Sequence, residues 1–380
     1  MNFRYKLLIT TGFFVIFVIG YSLGNEKMPF NDSLKIIYQD SLKKYSDRDF
    51  DNIDDRFYKT DVKSLINIKT ENEIQEKRKN IIKYIWKENE IPTNFKFVIQ
   101  ENIVDDRFTD MRNLEKINSY QTIMEYDVDS IAYLFIPKET NNKLVTYHQG
   151  HGGGFILGYE TIQQLLDDNF TVLAFSMPLR GQNSQPEVNI SNIGTIELRE
   201  HDNFQFIETN SFSPIKFFVE PVFTTLNHIE KNYDFDSFHM IGLSGGAWTV
   251  TLYSAIDDRI ESSYAVSGPL PRFLTINVPG NEGHYEANHV ELLENANYLE
   301  LFIMSSFGEN RSHVKILNQF DPCCFYGTSY KLFEDEIKSS LSKMENGHFE
   351  IHIDSETRKH EISNESLDYI INNLKLNNRS

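Results

Sequence analysis

Cysteine is almost absent from this chain. There are two in 380 residues, and they are neighbours, Cys323 and Cys324. That excludes a disulfide-framed mini-protein and a structural zinc module, which needs spaced pairs. Adjacent Cα atoms lie about 3.8 Å apart, shorter than usual disulfide spans, so a bridge here is strained and reducible. Two thiols packing a loop fit the sequence equally well. Positive charge is also short: 37 Lys and Arg face 55 Asp and Glu, a formal net charge of −18. A field of that sign repels phosphate backbones, so no nucleic-acid partner is expected. Only residues 7–24 form a long apolar run, which excludes a polytopic membrane protein. No internal repeat or low-complexity linker interrupts the chain, and 40% apolar with 13% aromatic residues can bury one large core or two modest ones.

Arg4 and Lys6 precede the apolar run, the order found in export signals. Ser22 and Gly24 supply small residues at −3 and −1 of a cleavage before Asn25. The uncharged run also reaches the lower edge of a bilayer span, roughly 17–25 residues. Residues 1–24 thus read as a cleaved signal or an uncleaved membrane anchor, and either places the rest outside the cytoplasm. Residues 25–113 form a polar extension with one clear helix: Thr70 and Glu73 make a capping box ahead of Ile74, Ile81, Ile82, Ile85 and Trp86.

Residues 114–380 read as the main domain. Strands are predicted at 120–126, 130–137, 143–148, 171–175, 237–241, 260–266, 314–317 and 349–353, and helices at 161–168, 217–232, 247–256, 330–344 and 364–374. This alternation predicts an α/β fold, a mostly parallel sheet covered by helices on both faces. Two stretches interrupt it, 182–213 and 269–297. Each follows a strand end on the side where such sheets bind ligands, and loops of this length suit caps over a site.

The sharpest motif is Gly242-Leu243-Ser244-Gly245-Gly246, between an apolar strand and a helix. A turn this tight strains its central residue, tolerates only small neighbours and pushes the serine hydroxyl out above the sheet. The helix that follows aims unpaired N–H groups at any oxyanion forming there. A serine is a weak nucleophile until a histidine accepts its proton and a carboxylate orients that histidine. Asp321 lies just past the strand at 314–317, where an acid can reach the same edge. Asp257, Asp258 and Glu261 fall at the opposite end, and Asp354 follows the last strand. His348 and His352 flank or lie in that last strand, whereas His360 stands in the loop after it.

From about residue 120 to 374 the chain resembles the α/β-hydrolase superfamily. The elbow Gly242–Gly246 carries the resemblance, and the loop Gln149-Gly150-His151-Gly152-Gly153-Gly154-Phe155 after a strand is similar to the glycine-rich oxyanion loop of esterases and lipases. Its register starts from His148 or from His151. Met177-Pro178-Leu179-Arg180-Gly181-Gln182-Asn183-Ser184 looks like a loop of deacetylases and peptidases, with Pro178 replacing its acid, Asn183 its second glycine and Arg180 serving as a structural ion-pair partner. The resemblance implies the order nucleophile, acid, base, hence Ser244, Asp321 and His360, with Gly245, Gly152 and Gly153 as oxyanion donors. It implies an exported serine hydrolase that cleaves a carboxylic ester of a small-molecule or acylated substrate through an acyl-enzyme. A serine peptidase or aminopeptidase, an acyltransferase and a non-catalytic binding protein on the same fold are the alternatives. No organic cofactor or metal is expected: His284, His289, Glu282 and Glu286 match no strong ligand template.

Overall fold

A computed structural model of the chain describes residues 50–93, 95–276 and 283–376. The expected export segment, residues 1–24, lies outside them. Among the described residues no helix is long and apolar enough to cross a membrane.

Among the described residues two short 3-10 helices, Asp55–Lys59 and Val62–Leu65, precede α1 (Glu71–Trp86), whose capping box of Thr70 and Glu73 forms as the sequence indicates. Strands β1 (Lys96–Ile103), β2 (Leu114–Ile123) and β3 (Asp129–Pro137) form an antiparallel meander. Next come β4 (Lys143–His148), α2 (Tyr159–Asp167), β5 (Thr171–Phe175) and the hairpin β6 (Glu187–Ile190) and β7 (Gly194–Glu197). Then follow α3 (Lys216–Asn232), β8 (Ser237–Leu243), α4 (Gly245–Ile256), β9 (Ile260–Val266), α5 (Val290–Asn295) and α6 (Tyr298–Ser306). The chain closes through β10 (Ser312–Asn318), α7 (Glu334–Lys343), β11 (His348–Asp354) and α8 (Asn364–Leu376).

Nine strands make one sheet in the order β1-β2-β3-β5-β4-β8-β9-β10-β11. The six from β5 to β11 run parallel. β6 and β7 stand apart as a two-stranded sheet within the first insertion. Helices α2 and α8 cover one face, burying Ile162, Leu165, Leu367 and Ile370. On the other face α3, α4, α6 and α7 share a core with α1. All twelve residues of α4 are buried, so Thr251 and Ser254 return their hydroxyls to the Ala247 and Val250 carbonyls one turn back.

Three expectations need correction. β1 belongs to the sheet although it falls within the stretch 25–113 read as an extension; as an edge strand it is mostly exposed and lacks the alternation that marks a half-buried strand. Helix α6 escaped notice because all nine of its residues are buried, which erases helical periodicity. The helix expected at 330–344 is a 3-10 turn, Ser329–Leu332, followed by α7.

Candidate active site

Parallel strands align their C-terminal ends along one edge, and the strand order opens a crevice there. From β4 the chain departs toward β5 on one side, and from β8 toward β9 on the other. Residues 149–154 leave β4 at this point, and Ser244 leaves β8.

Ser244 has φ 56° and ψ −117°, a backbone conformation that persists only when its surroundings impose it. Its N–H donates to the Val266 carbonyl at 2.9 Å, and its own carbonyl accepts from Trp248 at 3.2 Å, opening α4. The expected elbow is present. Gly150 packs against it: a Cβ there would stand 2.7 Å from the Leu243 oxygen and 2.8 Å from the Ser244 Cβ. The expected donors Gly152 and Gly153 do not touch this turn through their Cβ positions, which meet only Leu157. Of these loop glycines it is Gly150 whose added Cβ would meet the Ser244 turn. Gly245 is pinned from the same side, since a Cβ on it would lie 2.5 Å from Nδ1 of His151.

Asp321 and His360 are brought together, with His360 Nδ1 2.7 Å from Asp321 Oδ2. The carboxylate is wholly buried. Ser267 Oγ donates to its Oδ2 at 2.9 Å, and the Cys323 and Cys324 N–H groups donate to Oδ1 at 2.8 and 3.4 Å. The two cysteines are joined as a disulfide. Ser267 was not foreseen; its only sequence signal is a small polar residue directly after β9. Two further side chains hold the loop that carries His360. Asn318 donates to the carbonyls on either side of that histidine, Lys359 at 3.1 Å and Glu361 at 2.8 Å. Asp354 accepts from the Glu356 and Thr357 N–H groups and from the Ser363 and Ser366 hydroxyls. Burial alone would raise the Asp354 carboxyl, but these donors hold it below its ordinary value. His352 stacks on Tyr369 and pairs with Glu365, and His348 is exposed beside Glu350. Neither meets Asp321.

The two insertions converge on the same edge. His201 from the first and Glu286 from the second meet His151: Glu286 Oε1 lies 2.7 Å from His151 Nε2, and Oε2 lies 3.0 Å from His201 Nδ1. Burial alone would raise the Glu286 carboxyl, yet His201 and His151 hold it well below the ordinary carboxylate range. His289 belongs elsewhere, against Glu208 at 2.7 Å and the Tyr84 hydroxyl at 3.0 Å. Glu282 lies outside the described residues. Arg180 pairs with Glu200, as expected of a structural partner. Asn183 ties the loop after β5 to β3, accepting from the Ile131 N–H and donating to the Met177 carbonyl, each at 2.8 Å.

No family model matches the chain, and no curated protein does. Solved structures do. Acetyl xylan esterase 1 from Thermoanaerobacterium sp. JW/SL YS485 is similar at 12% identity with a TM-score of 0.55, over 85% of this chain and 98% of that one. An acetyl xylan esterase from Paenibacillus sp. R4 is similar at 15% identity with a TM-score of 0.52, over 83% of this chain and 98% of that one. The fold is that of the α/β-hydrolases. In this hydrolase fold the ends of β8, β10 and β11 lead into Ser244, Asp321 and His360 along one edge, with the β4 loop facing them.

Proposed function

We propose that the protein is a serine hydrolase that cleaves carboxylic esters, with Ser244, Asp321 and His360 as its triad. One observation carries this reading: a wholly buried Asp321 hydrogen-bonded to His360 on the sheet edge where Ser244 sits in a strained elbow. The Nδ1 bond to Asp321 leaves Nε2 of His360 to take the proton of the Ser244 hydroxyl as its oxygen attacks the acyl carbon. The resulting imidazolium then protonates the departing alcohol. Water attacks the acyl-enzyme by the same route, releasing the acid and restoring Ser244.

The oxyanion donors in this reading are the N–H of Gly245 at the α4 terminus and that of His151. The latter rests on two contacts, Gly150 against Ser244 and the His151 ring against Gly245, which set the peptide between residues 150 and 151 beside the nucleophile. The two similar esterases act on acetyl xylan, which makes acetyl esters the first substrates to try. The test is labelling with a fluorophosphonate and turnover of p-nitrophenyl acetate by the wild type and by Ser244→Ala. Both activities are expected in the wild type and neither in the variant. Undiminished turnover by Ser244→Ala, or a folded wild type inert toward both reagents, would overturn the assignment.

A further inference from the structure

We infer that His151, His201 and Glu286 form a binding site for one divalent transition-metal cation of the zinc class, which fastens both insertions to the loop beside Ser244. The three donors come from separate parts of the chain: the loop after β4, the first insertion and the second. His151 and His201 are 50 positions apart, and His201 and Glu286 are 85.

Their geometry is that of a ligand set. His151 Nε2 and His201 Nδ1 are 3.2 Å apart, and the two Glu286 oxygens stand 2.7 and 3.0 Å from them. A cation bonded to nitrogen and oxygen at about 2.0–2.2 Å needs its donors on the order of 3 Å apart. Tautomers point the same way. His201 Nε2 lies 2.8 Å from the Pro178 carbonyl, which can only accept, so Nε2 carries a hydrogen. In the neutral ring the lone pair then sits on Nδ1, facing a carboxylate oxygen and a second imidazole. With both rings neutral, acceptor atoms converging in this way repel unless a positive centre lies between them; a metal ion or a proton carried by one ring meets that need, and metal titration separates the two. A ligating histidine whose other nitrogen donates to a backbone carbonyl is the usual outer-shell arrangement of metal sites.

Burial supports the same conclusion. His201 and Glu286 are almost completely enclosed, whereas the His151 side chain keeps 19% of its surface exposed and marks the side from which an ion enters. His284 stands close by, its ring centroid 4.1 Å from that of His151. Among the described residues a second candidate group, Cys323, Cys324 and His360, has its sulfurs engaged in the disulfide. Mixed imidazole and carboxylate donors favour zinc, cobalt or nickel over calcium or magnesium.

The test uses the untagged full chain, stripped with a chelator and titrated with Co²⁺ and then Zn²⁺. One equivalent of Co²⁺ is expected to give visible d–d absorption that Zn²⁺ abolishes, and Zn²⁺ is expected to raise the Tm. Glu286→Gln and His201→Gln should each weaken binding at least a hundredfold. His151→Gln, at the exposed corner, should do the same in a chain that stays folded even if the buried variants do not. Absence of a cobalt spectrum in the wild type, or one equivalent bound undiminished in His151→Gln and in the folded buried variants, would overturn the proposal. A lower Tm in the variants with no metal dependence in the wild type would reduce the cluster to hydrogen bonds and overturn it as well. The readout is metal binding, so it stands or fails separately from ester hydrolysis.

Discussion

Asp321 reaches its buried position only because donors surround it, and the role of each donor differs. The Cys323 and Cys324 N–H groups fix the carboxylate through Oδ1, whereas Ser267 shares Oδ2 with His360. A hydrogen bond to a charged group contributes about 1.5–3 kcal/mol, and in the proposed mechanism part of that is felt only when His360 becomes an imidazolium in the transition state. Ser267→Ala should therefore lower kcat by about tenfold, or ~1.4 kcal/mol, with KM little changed; steady-state kinetics on p-nitrophenyl acetate would check it. Glycine substitutions separate the two registers of the oxyanion loop. Gly150→Ala places a methyl against the Leu243 oxygen and the Ser244 Cβ, both under 3 Å away, whereas a methyl at Gly152 meets only Leu157 at 3.9 Å. Gly150→Ala should lose turnover by two orders of magnitude or more, comparable with losing an oxyanion donor, and Gly152→Ala should keep most of it. The opposite ranking would restore Gly152 and Gly153 as the donors.

Elements carry these residues, and β10 carries more than its terminal acid loop. Lys315 is completely buried in that strand, its Nζ donating to the Pro269 carbonyl at the start of the second insertion at 2.7 Å. Burial pulls its ammonium down to about 7, far below the unfolded value of about 10.4. Between those values the unfolded chain binds a proton that the folded chain does not, so stability rises with pH across that window and the penalty is complete below it. Lys315→Met is expected to be more stable than wild type at about pH 6 and to flatten the rise toward about pH 9. Urea unfolding at both pH values measures it. What the sequence made legible follows the same element logic. Strand ends that deliver Ser244, Asp321 and His360 were readable because apolar strands and a glycine-flanked turn have local signatures. Asn318, Asp354 and Ser267 were not, since their partners are set by loop paths. Glu286 was grouped with its chain neighbours His284 and His289, but the fold instead joins it to His151 and His201, which no spacing in the sequence could announce.

At the scale of the whole molecule, the question is where the folded unit begins. The alternation of strands and helices suggested a start near residue 114, yet α1 and β1 lie before that point and are built into the fold. Ile74, Ile81 and Ile85 are fully buried in the core shared with α3, α4 and α6. Arg78 donates to the Ala255 carbonyl at the end of α4, and Trp86 donates to Glu220 of α3. β1 covers the outer edge of β2. Burying each of the three isoleucines contributes about 1.5–3 kcal/mol, so together they match a large share of a typical folding stability of about 5–15 kcal/mol. Removing them also exposes the apolar surface beneath α1 and leaves the ten-residue strand β2 as an open edge, the two features that most promote aggregation. A chain starting at Leu114 should therefore be insoluble or lack a cooperative thermal transition, while one starting at Phe50, the first residue of the compact unit, should melt cooperatively like the full chain. Expression of both truncations, followed by circular dichroism melting of the soluble fractions, decides the matter. A cooperative, soluble 114–380 would mean that α1 and β1 decorate the fold without supporting it.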